Sequence, residues 1–67
     1  MNLIKLKKLA NSRQFTELEV LWSEALDEPE ADVEEMLRVV AQVRRLGEEE
    51  RADTMLQGLL HLSLIHI

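Results

Sequence analysis

The chain has 67 residues and a formal net charge of −5 at pH 7, which is enough for one small domain or a part of a larger protein. It contains no cysteine, so a disulfide framework and a thiolate zinc site are excluded, and a reducing, cytoplasmic location is expected. The sequence is poor in aromatic residues, glycine and proline and rich in Leu, Glu, Ala and Arg. This composition favours helix over sheet.

The charges are unevenly distributed along the chain. Residues 1–14 contain Lys5, Lys7, Lys8 and Arg13 and no acid, for a charge of +4, whereas the remainder has thirteen acids against four arginines, for −9. An acidic body argues against binding to nucleic-acid phosphates. The basic start is compatible with a membrane anchor or targeting peptide, but lysines interrupt its apolar residues at every turn. We therefore expect no direct nucleic-acid binding and no membrane attachment, and interpret the lysines as the solvated face of a packed helix.

Two helical segments are predicted before Pro29. The first follows Asn2, a candidate N-cap, and ends at the Asn11-Ser12 pair. Its apolar stripe consists of Leu3, Leu6, Leu9 and Ala10. The second covers about residues 14 to 27. Its apolar stripe consists of Leu18, Leu21, Trp22, Ala25 and Leu26.

The start of the second helix has two interpretations. Thr16 and Glu19 fit a capping box, with Phe15 and Val20 as the hydrophobic staple. A helix that starts at Gln14 fits the sequence equally well.

The third helix is expected to open at Asp32, with Glu35 as the capping-box partner. Gly47 follows the last periodic residue, where a left-handed C-cap is needed. Within the helix, Glu34 and Arg38 form an i,i+4 pair. The predicted buried face consists of Met36, Leu37, Val39, Val40, Val43 and Leu46.

The acidic run at residues 48–50 begins the fourth helix, where negative charge complements the positive end of the helix dipole. Its apolar stripe consists of Ala52, Met55, Leu56, Leu59 and Leu60. Gly58 inside this helix costs about 1 kcal/mol relative to alanine unless a neighbouring backbone packs close to it.

The apolar positions recur with a period of 34 residues. The first and third helices align at Leu3 with Leu37, Leu6 with Val40, and Leu9 with Val43. The second and fourth align at Leu18 with Ala52, Leu21 with Met55, Trp22 with Leu56, Ala25 with Leu59, and Leu26 with Leu60. Two helix-turn-helix units of equal length are typical of tetratricopeptide-like arrays, in which neighbouring hairpins stack to cover their apolar faces. We predict an all-α fold of two stacked antiparallel helical hairpins over residues 1–61, truncated at the C-terminal side.

The chain closes on LSLIHI, residues 62–67. All six residues match, in order, the translation of the mosaic-end adaptor of transposase-based sequencing libraries. We therefore expect a non-native tail, with the natural reading frame continuing past His61. The alternatives are an apolar helix end, a strand that would lack a partner strand, or a metal site at His61 and His66. A spacing of five brings two histidines together on neither a helix nor a strand face, which argues against the metal site.

No residue set fits a known pattern of catalytic or metal-binding residues. Ser12, Ser23 and Thr54 have no histidine or lysine placed to activate them. The acidic clusters at residues 27–32 and 48–50 lack the ligand spacing and central glycine of a calcium loop. We expect no catalytic, cofactor-binding or metal-binding residue, no cofactor, and a protein that is not an enzyme. Trp22 lies in the middle of an apolar stripe, which favours a core position over an exposed anchor for a partner.

Two stretches resemble the second helix of a tetratricopeptide repeat. In FTELEVLWSEALDEP, residues 15–29, Leu18, Trp22 and Ala25 occupy the family's small-large-small positions, and a proline follows. In GEEERADTMLQGLL, residues 47–60, Gly47 and Ala52 occupy the family's glycine and alanine positions. The resemblance implies a scaffold whose groove binds a peptide or a helix.

The span from Met1 to Leu60 is also similar to the start of long Gre-type transcription elongation (transcript-cleavage) factors. The points of likeness are a short basic N-terminal helix, the FxxLxxLWxEA stretch, an acidic linker and DVEEMLRVV. Such factors have an α-helical N-terminal extension before a coiled coil and a C-terminal domain. The resemblance implies a non-catalytic extension that docks protein partners in the transcription machinery, and the family's magnesium-holding acids lie outside this span. A helical appendage of an enzyme whose active domain is missing remains a third interpretation.

Overall fold

The computed structural model describes residues 3–28 and 32–65, with side chains described through His61. These residues form four helices: α1 Leu3–Asn11, α2 Phe15–Leu26, α3 Val33–Arg45 and α4 Glu49–Ile65. Helix α1 packs against α2 and α3, and α4 packs against α2 and α3. Two antiparallel hairpins, α1–α2 and α3–α4, are therefore stacked with α1 on α3 and α2 on α4. The all-α prediction is confirmed, and the described ranges contain no strand.

The turns of the two hairpins have the same backbone geometry. Arg13 and Gly47, 34 positions apart, have φ values of 58° and 89°. In each turn the next residue donates its N–H to the carbonyl five residues earlier, at 3.0 and 3.3 Å. The pairs are Gln14 to Leu9 and Glu48 to Val43. This 6→1 bond over a left-handed residue is the Schellman closure of a helix end. The breaks predicted at Asn11-Ser12 and at Gly47 are confirmed.

One apolar core lies between the hairpins. Trp22 is only 4% exposed, so its predicted core position is confirmed. No polar or charged side chain among the described residues is buried. The buried residues are Leu6, Leu9, Ala10, Phe15, Leu18, Trp22, Ala25, Met36, Val39, Val40, Val43, Ala52, Met55 and Leu59.

The helix starts agree with the prediction at α3 and, at α2, with one of the two interpretations, the start at Gln14. Asp32 is the N-cap of α3, and its carboxylate accepts from the N–H of Glu35 at 3.2 Å. At α2 the capping box of Thr16 and Glu19 is wrong, because the N-cap is Gln14 and no side chain caps this end. The helix already begins at the buried Phe15, so Thr16 lies inside the first turn and is not in the N-cap position.

The predicted hydrophobic staple at the start of α2 is also wrong. Phe15 is buried, but Val20 is 61% exposed and points away from the core. Phe15 instead lies under the guanidinium of Arg51, whose Cζ is 5.1 Å from the ring centroid.

Two leucines assigned to the buried stripes are exposed, so those two assignments are wrong. Leu37 is 42% and Leu60 is 52% exposed. Their equivalents 34 residues earlier, Leu3 and Leu26, are partly buried against the core between the hairpins. The second hairpin has no further helix on that side within the described residues, so the same stripe positions face solvent there.

One predicted contact within α3 is wrong. Arg38 pairs with Glu35, three residues away at 3.7 Å, and not with Glu34. Near Gly58 the close neighbour is a side chain and not a backbone: a Cβ there would lie 3.0 Å from Leu26 Cδ1.

Several predictions concern the ends and the joint between the hairpins. Asn2, Pro29 and His66 lie outside the described residues. The backbone of α4 continues as helix through residues 62–65, which agrees with the helix-end alternative for the geometry of that stretch. The origin of residues 62–67 stays a prediction.

Candidate functional site

An open depression lies on the exposed edge of the second hairpin, and we call it the basic groove. Its volume is about 600 Å³. Helix α3 supplies most of the lining, with one residue each from α1 and α4. The lining residues are Lys7, Leu37, Arg38, Val40, Ala41, Gln42, Arg44, Arg45 and Leu56.

The floor of the basic groove is apolar because the stacking of hairpins is not continued on this edge. In the first hairpin, Ala10 and Trp22 are buried against the second hairpin. Thirty-four residues later, the equivalent positions are Arg44, which is exposed, and Leu56, which is half-buried. In the first hairpin this edge is buried against the second hairpin. The same edge of the second hairpin has no neighbour among the described residues, so its apolar side chains remain accessible.

The rim of the basic groove is cationic in a chain of net charge −5. Lys7, Arg38, Arg44 and Arg45 are four of the eight Lys and Arg residues of the whole sequence, and no carboxylate lines the groove. Four cations are therefore concentrated on one edge of α3.

Ion pairs with neighbouring acids orient three of these cations. Lys7 Nζ lies 3.2 Å from Glu35, which also approaches Arg38 at 3.7 Å. Arg44 lies 2.6 Å from Asp53 on α4. The fourth cation of the rim, the exposed Arg45, has no ion pair to a described residue. Its guanidinium therefore presents its donors to solvent or to a ligand.

A second, smaller depression of about 310 Å³ lies between α1 and α2, and none of its lining residues lines the basic groove. We call this surface the outer face of the first hairpin. The lining residues are Lys5, Leu9, Thr16, Glu17, Val20, Leu21 and Glu24.

Polar contacts fix the position of one hairpin on the other. The indole N–H of Trp22 donates to the backbone carbonyl of Met55 at 3.2 Å. Arg51 of α4 pairs with Glu19 of α2, and the Gln42 amide donates to the Asn11 side chain. These contacts hold the apolar and cationic groups of the basic groove in one arrangement.

Among the described residues, the hydroxyl groups considered above form no hydrogen bond with a histidine or lysine side chain. Ser12 Oγ donates to the carbonyl of Lys8 at 2.8 Å, and Thr54 Oγ1 donates to the carbonyl of Glu50 at 3.0 Å. Ser23 lies in a small crevice between α2 and α4. The bonds of Ser12 and Thr54 each run to the backbone carbonyl four residues earlier. Such bonds satisfy a hydroxyl without activating it. Across the described ranges, no three His, Asp or Glu side chains converge in an arrangement suited to a metal ion.

None of the helices in the part of the chain that the structure describes combines the length and the apolar character that a membrane span requires.

No family model, curated protein or solved structure matches this chain. Its function is therefore inferred from the two surfaces.

The sequence alone did not indicate the basic groove. Lys7 is 34 residues before Ala41, and the stacking of α1 on α3 places both in the same lining. A signal was present in the period: Arg44 and Arg45 fall where the first hairpin has Ala10 and Asn11. An arginine at a position equivalent to a buried alanine indicates that the second hairpin's edge is not covered in the same way.

Proposed function

We propose that this chain is a non-catalytic protein-interaction domain whose basic groove binds an acidic amphipathic segment of a partner protein. The observation that supports this most directly is the union of an apolar floor with four cations on one edge of the stacked hairpins. An amphipathic helix binds such a groove through its apolar face, and flanking acids would meet the cationic rim.

The chemistry of the rim favours a protein carboxylate over a nucleic-acid phosphate. The body of the chain is acidic, with thirteen Asp and Glu residues against eight Lys and Arg. A long phosphate backbone would therefore meet repulsion beyond the groove, whereas a short acidic segment would not. The exposed Leu37 and the half-buried Leu56 add apolar area that a phosphate backbone does not use.

We further propose a tetratricopeptide-like architecture and a place at the start of a Gre-type transcription elongation factor. The support for the first is the 34-residue spacing of equivalent helix ends and turns: Asn11 with Arg45, and Phe15 with Glu49. The support for the second is the resemblance of residues 1–60. Under this proposal the partner belongs to the transcription machinery, the location is cytoplasmic, and residues 62–67 are not part of the natural protein.

The genomic frame tests the biological context. Sequencing the source gene downstream of the codon for His61 is expected to show a coiled coil followed by a Gre-like C-terminal domain. Further 34-residue helical units would favour the general scaffold, and a catalytic domain would favour the appendage of an enzyme.

Binding to the basic groove is tested by fluorescence anisotropy with a labelled synthetic helical peptide that has leucines on one face and flanking glutamates. Arg45→Glu is expected to weaken binding at least tenfold, because it replaces an unpaired cation by a charge that repels the peptide. Arg13→Glu makes the same charge change at the turn, outside the groove lining, and is the matched control. Equal loss in both variants would indicate a net-charge effect and contradict the proposal.

The apolar floor is tested in the same assay with Leu37→Asp. Ile4→Asp is its control, because Ile4 is the more exposed of the two side chains and is not in the groove lining. Weaker binding is expected for Leu37→Asp and not for Ile4→Asp. A peptide whose glutamates are replaced by lysines is expected to bind neither variant.

A further inference from the structure

We propose that the outer face of the first hairpin binds the same face of a second copy of this chain, forming a two-fold symmetric dimer in which α1 of each copy lies on α2 of the other. This surface is separate from the basic groove, and the dimer does not depend on the function proposed for that groove.

The outer face has the positions that the second hairpin uses for stacking. In the second hairpin, four of the residues that contact the first are Gln42, Arg51, Met55 and Gly58. The equivalents 34 residues earlier are Lys8, Glu17, Leu21 and Glu24. Three of these four, all but Lys8, line the depression on the outer face. The second hairpin uses this side to stack on the first. The same side of the first hairpin is not covered by any described residue.

Exposed apolar surface is present on this face. Val20 lines the depression together with Leu21 and is the second most exposed large apolar side chain in the described ranges. Burying the exposed part of a valine side chain at an interface favours association. A two-fold interface would bury this residue twice.

Head-to-tail stacking of copies is disfavoured by charge. If a second copy continued the internal stacking, the pair of Glu19 with Arg51 would be replaced by Asp53 with Glu17 of the next copy. The contact of Asn11 with Gln42 would be replaced by Arg45 with Lys8. Both substituted pairs have like charges, which costs free energy where the internal pairs gain it. The outer face therefore does not fit the edge that contains the basic groove.

A two-fold arrangement of the same face is complementary. Helix α1 contributes Lys5 and Lys8 on this side and α2 contributes Glu17 and Glu24, all exposed. A two-fold axis parallel to the helices places α1 of one copy over α2 of the other, so basic residues meet acidic residues twice. An isologous interface requires this kind of self-complementarity.

The heights of the charges along the helices also agree. At a rise of 1.5 Å per residue, Lys8 is about 4.5 Å from the end of α1 at the turn, and Glu17 is about 3 Å from the start of α2. Lys5 and Glu24 lie farther down, at about 9 and 13.5 Å. Because this axis preserves height, Lys8 faces Glu17, and Lys5 lies about 4.5 Å from the height of Glu24, three residues away along α2.

A charge-swap cycle tests the dimer by sedimentation equilibrium over a range of concentrations. One variant combines Lys5→Glu with Lys8→Glu, and the other combines Glu17→Lys with Glu24→Lys. The unchanged chain of 7.8 kDa is expected to sediment with twice its mass at high concentration. Each variant alone is expected to be monomeric, since like charges meet at the interface, and an equimolar mixture of the two is expected to restore the dimer.

Circular dichroism of each variant checks that it is helical, and Val20→Asn provides a second, milder change that is expected to weaken dimerisation at least tenfold. Leu37→Asp, in the basic groove, is expected to leave the dimer unchanged. Three results would overturn the proposal. The unchanged chain could be monomeric at millimolar concentration, the mixture could stay monomeric, or Leu37→Asp alone could disrupt the dimer.

Discussion

The indole N–H of Trp22 donates a hydrogen bond to the backbone carbonyl of Met55, 3.2 Å away, and this bond joins the two hairpins at the centre of their interface. Trp22→Ala is expected to reduce the free energy of unfolding by on the order of 3–5 kcal/mol, from lost burial and the remaining cavity. Small domains have only about 5–15 kcal/mol in total, so this variant should be largely unfolded. Thermal unfolding followed by circular dichroism measures the effect, with the exposed Ile4→Ala as control. A folded Trp22→Ala protein with an unchanged Tm would contradict the core position.

The two turns predict opposite responses to substitution. Arg13 adopts a left-handed conformation that costs an L-residue about 1–2 kcal/mol, whereas Gly47 adopts it freely. Arg13→Gly is therefore expected to stabilise the protein and Gly47→Ala to destabilise it, each by about 1 kcal/mol. No atom lies within 4 Å of a Cβ at Gly47, so the loss there would come from backbone strain alone. Urea unfolding measures both, and stabilisation by Gly47→Ala would show that the turns are not equivalent.

The two predicted helix caps differ in their structural roles and should differ in their energetics. Asp32→Ala removes the side chain that accepts from the Glu35 N–H and is expected to cost about 1 kcal/mol. Thr16→Ala is the matched control, because Thr16 follows the N-cap Gln14 and caps nothing. Its expected effect on the free energy of unfolding is within about 0.5 kcal/mol. A larger loss for Thr16→Ala than for Asp32→Ala in urea unfolding would contradict the observed start of α2.

Gly58 tests how closely α2 approaches α4. A Cβ at this position would lie 3.0 Å from Leu26 Cδ1, the end of a flexible, partly buried side chain that is able to move by a few tenths of an ångström. Gly58→Ala is therefore expected to stabilise the protein by about 0.5 kcal/mol through helix propensity. Gly58→Val adds atoms that Leu26 cannot avoid and is expected to destabilise it by about 1–3 kcal/mol. Thermal unfolding compares the two, and equal stabilisation by both would mean that the helices are farther apart than observed.

Arg51 contributes to the contact between the hairpins through two partners. Its guanidinium pairs with Glu19 and lies over the ring of Phe15. Because Arg51 and Glu19 are both partly exposed, a double-mutant cycle with Arg51→Gln and Glu19→Gln is expected to give a coupling energy of about 0.2–1 kcal/mol that decreases with salt. Coupling that is independent of salt would argue against the ion pair.

The helix boundaries of α3 could be predicted from the sequence because they depend on contacts between residues close together in the chain. Asp32 with Glu35 starts α3 through a bond between residues three apart, and Gly47 ends it through its own backbone freedom. Arg13 was not foreseen as left-handed, because nothing in its side chain favours that conformation. The turn closes there through the amide of Gln14 and the carbonyl of Leu9.

What the sequence did not predict depends on contacts between distant residues. Periodicity placed Leu37 and Leu60 in apolar stripes but does not say which edge of a stripe another helix covers. Glu19 matched a capping pattern, yet its partner is Arg51, 32 residues away. The basic groove likewise arises only when stacking brings Lys7 next to α3.

The central claim, that the edge of α3 is a binding surface for an acidic amphipathic segment, is tested most directly by NMR. Titration of the ¹⁵N-labelled chain with the synthetic leucine and glutamate peptide is expected to shift the amides of residues 37–45 and of Leu56 most strongly. The outer face around Val20 should be unaffected by the peptide. No saturable shift, or shifts centred on α2, would contradict the account.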